Sequence, residues 1–313
     1  MNSKQSFIHM MLDRVRAYID DPTLNAKYSN DFLLGNMITP EMVNVLSRIN
    51  LTSGNPILLS FDVTLVKDQP RYVLPPNIGE VYRVGQLNTD GSIKYDFKPR
   101  SEFHGIGPVW AVDGNTINFR PYPSSNDAGE VITIFYIPNG DFQMHYSDDG
   151  GQMVSSTTFT LDQPLSGTSD IGYCDLREQA YSGALLRVFE HTNNTLIEER
   201  VIRSYDHNTF TATVDTAFTG NIHPSGSGSM NTTGYRYEVI PQMATSLASA
   251  ISSAAAIQLG TVRSVSQKQM NFLILQHKTN MKSIMDNRSN IQNRVGKQYW
   301  KDTIDNVSNS WMR

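Results

Sequence analysis

Residues 242–288 decide the fold; they read QMATSLASAISSAAAIQLGTVRSVSQKQMNFLILQHKTNMKSIMDNR. The stretch has no proline, its only glycine is Gly260, and apolar residues recur at helical spacing. These residues are Leu247, Ile251, Ala254, Ala255, Leu259, Val262, Met270, Leu273, Ile274, Met281 and Ile284. The pattern predicts one long helix or two in tandem. A continuous helix of about 45 residues would reach roughly 68 Å at 1.5 Å per residue, which exceeds a single small domain.

A helix of this length has to pack against other apolar surfaces, and the N-terminal region supplies them. Residues 6–19 carry an apolar stripe at helical spacing that ends near Asp21-Pro22. Further helix starts are predicted at residues 29–31, which offer N-cap side chains, and at Thr39-Pro40-Glu41. The expected fold class is α+β. It consists of a helical bundle formed by the N-terminal helices and a long C-terminal helix, with inserted antiparallel β regions and an extended C-terminal arm.

Between the helical ends the sequence predicts many short strands. Segments rich in Val, Ile, Phe and Tyr alternate with turn signals, and Asp113-Gly114 predicts a hairpin between residues 110–112 and 116–119. A second set of strands follows from residue 157, interrupted by a polar segment at 220–234. The predicted organisation is listed by residue number: 1–52, N-terminal helices; 53–145, a β region; 146–240, a second β insertion; 241–288, a long C-terminal helix on the N-terminal helices; 289–313, a docking arm.

Composition limits the classes of protein that fit. The single cysteine, Cys174, excludes an intramolecular disulfide, and the sequence predicts no secretory signal and no transmembrane helix. The net charge of -4 is unevenly distributed. Residues 263–313 hold nine Lys or Arg and three Asp, a net of +6, so residues 1–262 hold 17 positive and 27 negative side chains, a net of -10. The net negative charge argues against nucleic-acid binding by the protein as a whole, although its C-terminal part is basic.

Catalytic and metal-binding patterns are absent from the sequence. The seven histidines have neither helical metal-pair spacing nor an H-E-x-x-H arrangement, and there is no nucleophile elbow or phosphate-binding loop. The segment Asp148-Asp149-Gly150-Gly151 has the wrong spacing for a calcium loop and favours a polar turn. We therefore expect no enzymatic activity, no metal and no cofactor.

The last residues of the chain are unusually aromatic and basic. They include two of the three tryptophans, Trp300 and Trp311. A frayed terminus, or a short helix on its own domain, is an ordinary interpretation of such a segment. Large aromatic side chains on a tail too short to form a core favour docking into another chain. The predicted contact residues are Arg294, Lys297, Tyr299, Trp300, Lys301, Trp311 and Arg313.

Four segments resemble the head-to-tail adaptor (connector) proteins of tailed bacteriophages. The opening D-R-V-R-A-Y-I-D-D and Y-S-N-D-F-L-L, within residues 13–34, is similar to their first helices. The β segments R-Y-V-L-P-P at 71–76, E-V-Y-R-V at 80–84 and N-T-I-N-F-R-P-Y-P at 115–123 resemble theirs too. The resemblance covers mainly residues 7–138 and the terminal helix.

The resemblance implies a structural virion protein that forms a ring, typically of twelve copies, beneath the portal protein at the neck between capsid and tail. In such proteins the C-terminal segments reach the portal, and the β parts face the tail nozzle, the tail tube or tail fibres. The ring gives passing genomic DNA a channel without sequence recognition, makes no membrane contact, and assembles in the host cytoplasm. The alternatives are a tail or fibre component that binds a host receptor or glycan, suggested by the Thr- and Ser-rich second β region, and a DNA-binding protein, suggested by the basic C-terminal part.

Overall fold

The computed structural model describes residues 6–21, 26–52, 57–88, 92–102, 108–161, 174–190, 195–219 and 235–286. The chain opens with helix α1 (Phe7–Ile19), where the predicted amphipathic helix is confirmed. Its apolar stripe, which includes Ile8, Met11 and Val15, is fully buried. Ser6 caps the helix by accepting a hydrogen bond from the backbone N–H of His9. Asp20, at positive φ, ends it.

The next helices form one continuous segment. Helix α2 (Asn30–Phe32), capped by the predicted Ser29 side chain, runs into a π-helical turn (Leu33–Ile38) and then into α3 (Thr39–Thr52). The helix start predicted at Thr39 is confirmed by α3, but Thr39 is not an N-cap because its backbone is helical and continues the preceding turn. The Thr39 N–H bonds the carbonyl of Leu34, five residues back, and the Thr39 hydroxyl donates to the same carbonyl. The wider turn brings Pro40, which has no N–H, into the helix.

The first β layer is a seven-stranded sheet in the order β1-β7-β3-β4-β5-β6-β2. Its strands are β1 (Leu59–Thr64), β2 (Arg71–Val73), β3 (Ile78–Leu87), β4 (Ile93–Pro99), β5 (Val109–Asp113), β6 (Thr116–Arg120) and β7 (Val131–Pro138). Neighbouring strands are antiparallel except β4 and β5. The predicted hairpin at Asp113-Gly114 is confirmed, with Gly114 at positive φ between β5 and β6.

The second β layer is a closed, antiparallel barrel in the order β10-β11-β12-β9-β8-β13. Its strands are β8 (His145–Ser155), β9 (Thr158–Thr160), β10 (Leu185–Phe189), β11 (Leu196–Asp206), β12 (Thr211–Val214) and β13 (Tyr235–Ile240). Closure pairs every strand on both sides. The interior is aromatic, with the rings of Phe159 and Tyr237 5.4 Å apart. The polar turn predicted at residues 148–151 is wrong, because these residues continue β8.

A buried carboxylate links the barrel to the first helix. Glu238 on β13 accepts hydrogen bonds from the Ser6 hydroxyl at 2.8 Å and from the N–H groups of Phe7 and Ile8 at 3.0 and 3.1 Å. It also pairs with the guanidinium of Arg187 on β10. A negative charge at a helix N-terminus satisfies unpaired N–H groups and the helix dipole together. The barrel therefore supplies the electrostatic cap of α1.

Two C-terminal helices complete the described residues: α4 (Ala244–Arg263) and α5 (Gln267–Asp286). Helix α4 lies at the centre of the helical layer, in contact with α1, the π-helical turn, α3 and α5. Its buried residues are mostly small, including Ala250, Ser252, Ala255 and Ala256, which lets several helices approach it closely. None of the described helices is long and apolar enough to span a membrane.

The expected fold class is wrong. Two large β-sheets, one of them a closed barrel, dominate the described residues, and no long C-terminal helix exists there. The predicted helix breaks at Ser264, whose φ of 57° is left-handed, and the chain folds back so that α5 packs on α4. Folding back buries Leu273 of α5 beside Gly260 of α4, a contact that an extended rod could not make without a partner. The predicted C-terminal arm, 289–313, lies outside the described residues.

Candidate interaction surface on helix α5

The α4–α5 hairpin is built by its turn. The Val265 N–H bonds the carbonyl of Gly260 at 3.2 Å, while Ser264 takes the left-handed position that ends α4. Gly260 sits where α5 crosses α4. A Cβ at that position would lie 3.3 Å from Met270 Cε and 3.5 Å from Leu273 Cδ1. The missing side chain therefore permits the close approach of the two helices.

Polar contacts also join α4 and α5. Asn280 donates to the carbonyl of Ser249 at 2.9 Å and to the Ser253 hydroxyl at 3.2 Å. The Nδ1 of His277 lies 3.2 Å from the same hydroxyl, and burial lowers the pKa of His277. Only two residues of α5 are buried, Leu273 and Ile284. The hairpin is consequently held by one narrow stripe, and most of α5 remains exposed.

The outer face of α5 combines apolar and basic side chains. Phe272 and Leu275, three positions apart, are 57% and 65% exposed and point the same way. Lys268, Lys278 and Lys282 are exposed around them, and Asp286 is the only acidic residue of the helix. We call Lys268, Phe272, Leu275, Lys278 and Lys282 the α5 face. Exposed Phe and Leu side chains on one helix face, rimmed by charge, are typical of a protein-binding surface.

The side chains predicted from the sequence to bind a partner cannot be placed on this surface. Arg294, Lys297, Tyr299, Trp300, Lys301, Trp311 and Arg313 all lie outside the described residues. The helix that precedes them is described, and it extends the basic character of the C-terminal part into the folded body. The sequence signal for the α5 face is the run Phe272-Leu273-Ile274-Leu275, which holds more apolar residues in succession than one buried stripe can cover.

The remaining polar clusters are structural. Cys174 is buried with its Sγ 3.2 Å from the Tyr205 hydroxyl, and Tyr205 donates to the carbonyl of Asp175. His145 is buried and lies 2.8 Å from the Tyr237 hydroxyl. In the part of the chain that the structure describes, no three His, Cys, Asp or Glu side chains are grouped to hold a metal ion.

Glu198 on β11 is also buried. Its carboxylate accepts the Thr219 N–H at 2.9 Å and pairs with Arg200 at 2.5 Å. Both partners belong to the same region of the barrel, so this carboxylate also stabilises the fold.

Comparison with protein-family models and with curated proteins finds no match for this chain.

Proposed function

We propose that this protein is a structural subunit that assembles with copies of itself into a ring, and that the ring is a head-to-tail adaptor of a tailed bacteriophage. The α5 face supports the proposal that copies of the chain assemble into a ring. The proposal that the ring is a head-to-tail adaptor is supported by the resemblance of the segments in residues 13–34, 71–84 and 115–123 to phage connectors. The ring would join the portal to the tail or nozzle and surround the DNA channel.

Self-association follows from charge and apolar area. The α5 face carries three lysines in a chain whose residues 1–262 have a net charge of -10, so the acidic body of a neighbouring copy complements it. A specific interface takes about 800 Å² from each partner. The two apolar side chains supply only part of that area. A contact between two different surfaces repeats around a closed ring.

The oligomeric state of the full chain tests this proposal. Native mass spectrometry and light scattering should find a ring-sized oligomer that dissociates with rising salt, since charge contributes to the contact. The variant Phe272→Ser/Leu275→Ser should be monomeric. Val154→Ser/Leu176→Ser is the matched control, because these side chains are 59% and 65% exposed elsewhere, and it should assemble normally. A strictly monomeric wild-type chain, alone and with portal protein, would refute the proposal.

The portal contact is a separate element of the proposal. The residues assigned to it are Arg294, Lys297, Tyr299, Trp300, Lys301, Trp311 and Arg313. Deleting residues 289–313 should abolish portal binding and leave the circular dichroism spectrum nearly unchanged. Unaltered portal binding by the deletion variant would refute the assignment of the portal contact to residues 289–313. The Phe272→Ser/Leu275→Ser variant tests ring formation independently.

A second candidate function is a tail or fibre component that binds a host receptor or glycan. Three exposed tyrosines favour it: Tyr82, Tyr95 and Tyr122 are about half exposed. They lie in and beside the first sheet and not in the second β region from which the idea arose. Exposed aromatic rings stack on sugars, so glycan-array binding that Tyr82→Ser and Tyr95→Ser eliminate would favour this function.

A further inference from the structure

A basic groove lies on the first sheet. Its cavity of about 340 Å³ is lined by residues of β2, β5 and β6 and of the segments beside β2, β4 and β6. Three arginines surround it: Arg71, Arg100 and Arg120. Tyr122 forms part of its wall, and all four side chains are exposed. We call Arg71, Arg100, Arg120 and Tyr122 the arginine groove.

Strand register explains how the groove forms. Arg71 on β2 lies directly opposite Asn118 on β6, which in turn lies opposite Ala111 on β5. Alternation along a strand puts Arg120, two residues after Asn118, on the same face. Arg71 and Arg120 are therefore diagonal neighbours, with Cα atoms about 7–8 Å apart. Ala111, which has a small side chain, lies on the same face and leaves space between the longer arginine side chains.

The groove carries uncompensated positive charge. Among the described residues, none of its three guanidinium groups takes part in an ion pair, although the chain as a whole has a net charge of -4. Among the described residues of the lining, Asp113 is the single acidic one. Guanidinium groups bind carboxylates in a planar, two-point geometry, so the charge of the groove favours an anionic ligand.

We infer that the arginine groove binds an acidic peptide segment of a partner protein, with carboxylates at alternate positions of an extended chain. Side chains on one side of an extended peptide recur every two residues, about 6.8 Å, which matches the spacing of Arg71 and Arg120. Asp113 disfavours a dense polyanion and can accept a backbone N–H of a peptide. The acidic body of the protein also repels nucleic acid, so a protein segment is favoured over DNA or RNA.

The test measures binding of a fluorescein-labelled peptide in which glutamate and serine alternate, by anisotropy with the full chain at low salt. Each exposed charge pair contributes about 0.2–1 kcal/mol, so each single Arg→Gln change should weaken binding roughly two- to fivefold at most. The triple variant Arg71→Gln/Arg100→Gln/Arg120→Gln should weaken it tenfold or more. The matching Arg→Lys triple should fall between them, because charge remains but two-point geometry is lost.

Controls separate the groove from general electrostatics. The variant Lys67→Gln/Lys94→Gln/Lys98→Gln removes the same charge from exposed positions that do not line the groove and should bind like the wild type. A peptide of the same composition with its glutamates in one block should bind more weakly. Equal binding by the triple arginine variant would overturn the inference, as would tighter binding of a single-stranded oligonucleotide of the same charge. Neither result depends on the α5 face, so this assay and the test of ring formation are independent.

Discussion

Replacing Glu238 by alanine should destabilise the whole protein, because this carboxylate joins α1 to the barrel. The wild-type carboxylate is fully buried and accepts three hydrogen bonds from Ser6, Phe7 and Ile8, and its partner Arg187 has a side chain only 6% exposed. Removing one member of a buried ion pair costs about 3–5 kcal/mol, because the other charge stays buried without compensation. The lost helix cap contributes about 1 kcal/mol within that total.

Glu199 moderates the loss. It lies 3.1 Å from Arg187 and is 44% exposed, so it retains part of the compensation for the guanidinium. We expect Glu238→Ala to lower the free energy of unfolding by about 4 kcal/mol, and Glu199→Gln by less than about 1 kcal/mol, as for other exposed pairs. Urea unfolding followed by circular dichroism measures both changes as midpoint shifts at unchanged slope.

The double variant Arg187→Met/Glu238→Leu checks the cause. It removes both charges together, so it should be more stable than Glu238→Ala although it changes more atoms. If Glu238→Ala and Glu199→Gln lowered the stability equally, or if the double variant were the least stable of the three, the buried pair would not be what holds α1 to the barrel.

Two further predictions concern the barrel and the response to pH. A Cβ on Gly151 would lie 2.5 Å from Phe159 Cζ and Tyr237 Cδ1, so Gly151→Ala should cost about 1–3 kcal/mol in thermal unfolding. Gly35→Ala, with nothing within 4 Å, should leave stability unchanged or raise it by up to about 1 kcal/mol. Burial lowers the pKa of both His9 and His277 below the ordinary 6.5. The unfolded chain then binds more protons, so stability should fall as pH drops below about 6.5. The His9→Gln/His277→Gln variant should show a smaller loss across that range, and an identical pH profile would contradict the assignment.

The helices were partly predictable from local chemistry. Residues 6–19 have one apolar face and a capping serine, and both features act within a single helix. The break between α4 and α5 also had a local signal that periodicity alone overlooked. Ser266 accepts the N–H of Gln269, a Ser-x-x-Gln pattern that starts a helix. Because the apolar spacing continues on both sides of residues 264–266, periodicity alone fits one long helix as well as two in tandem.

The sheets were less predictable because their pairings join distant residues. Alternation identified several strands, but no local feature says that β9 pairs with β12 or that β13 pairs with β8 to close a barrel. The arginine groove has the same origin, since Arg71 and Arg120 become neighbours only through the register of β2 on β6. Glu238 lies in β13, and nothing in the local sequence YRYEVI indicates that Ser6 and Arg187 will contact it.

The small buried residues of α4 connect the fold to the proposed assembly. A central helix rich in Ala and Ser allows α1, α3 and α5 to approach closely, but it offers each of them little side-chain volume to pack against. Helix α1 gains additional stabilisation from the barrel through Glu238. Helix α3 gains it from its own large buried apolar residues, such as Met42 and Leu46. Among the described residues, helix α5 has neither kind of stabilising contact. Its Phe272 and Leu275 side chains remain exposed and are available for packing against another chain. A second copy that covers this face would complete the packing of α5, so ring formation and the stability of the hairpin are expected to be coupled.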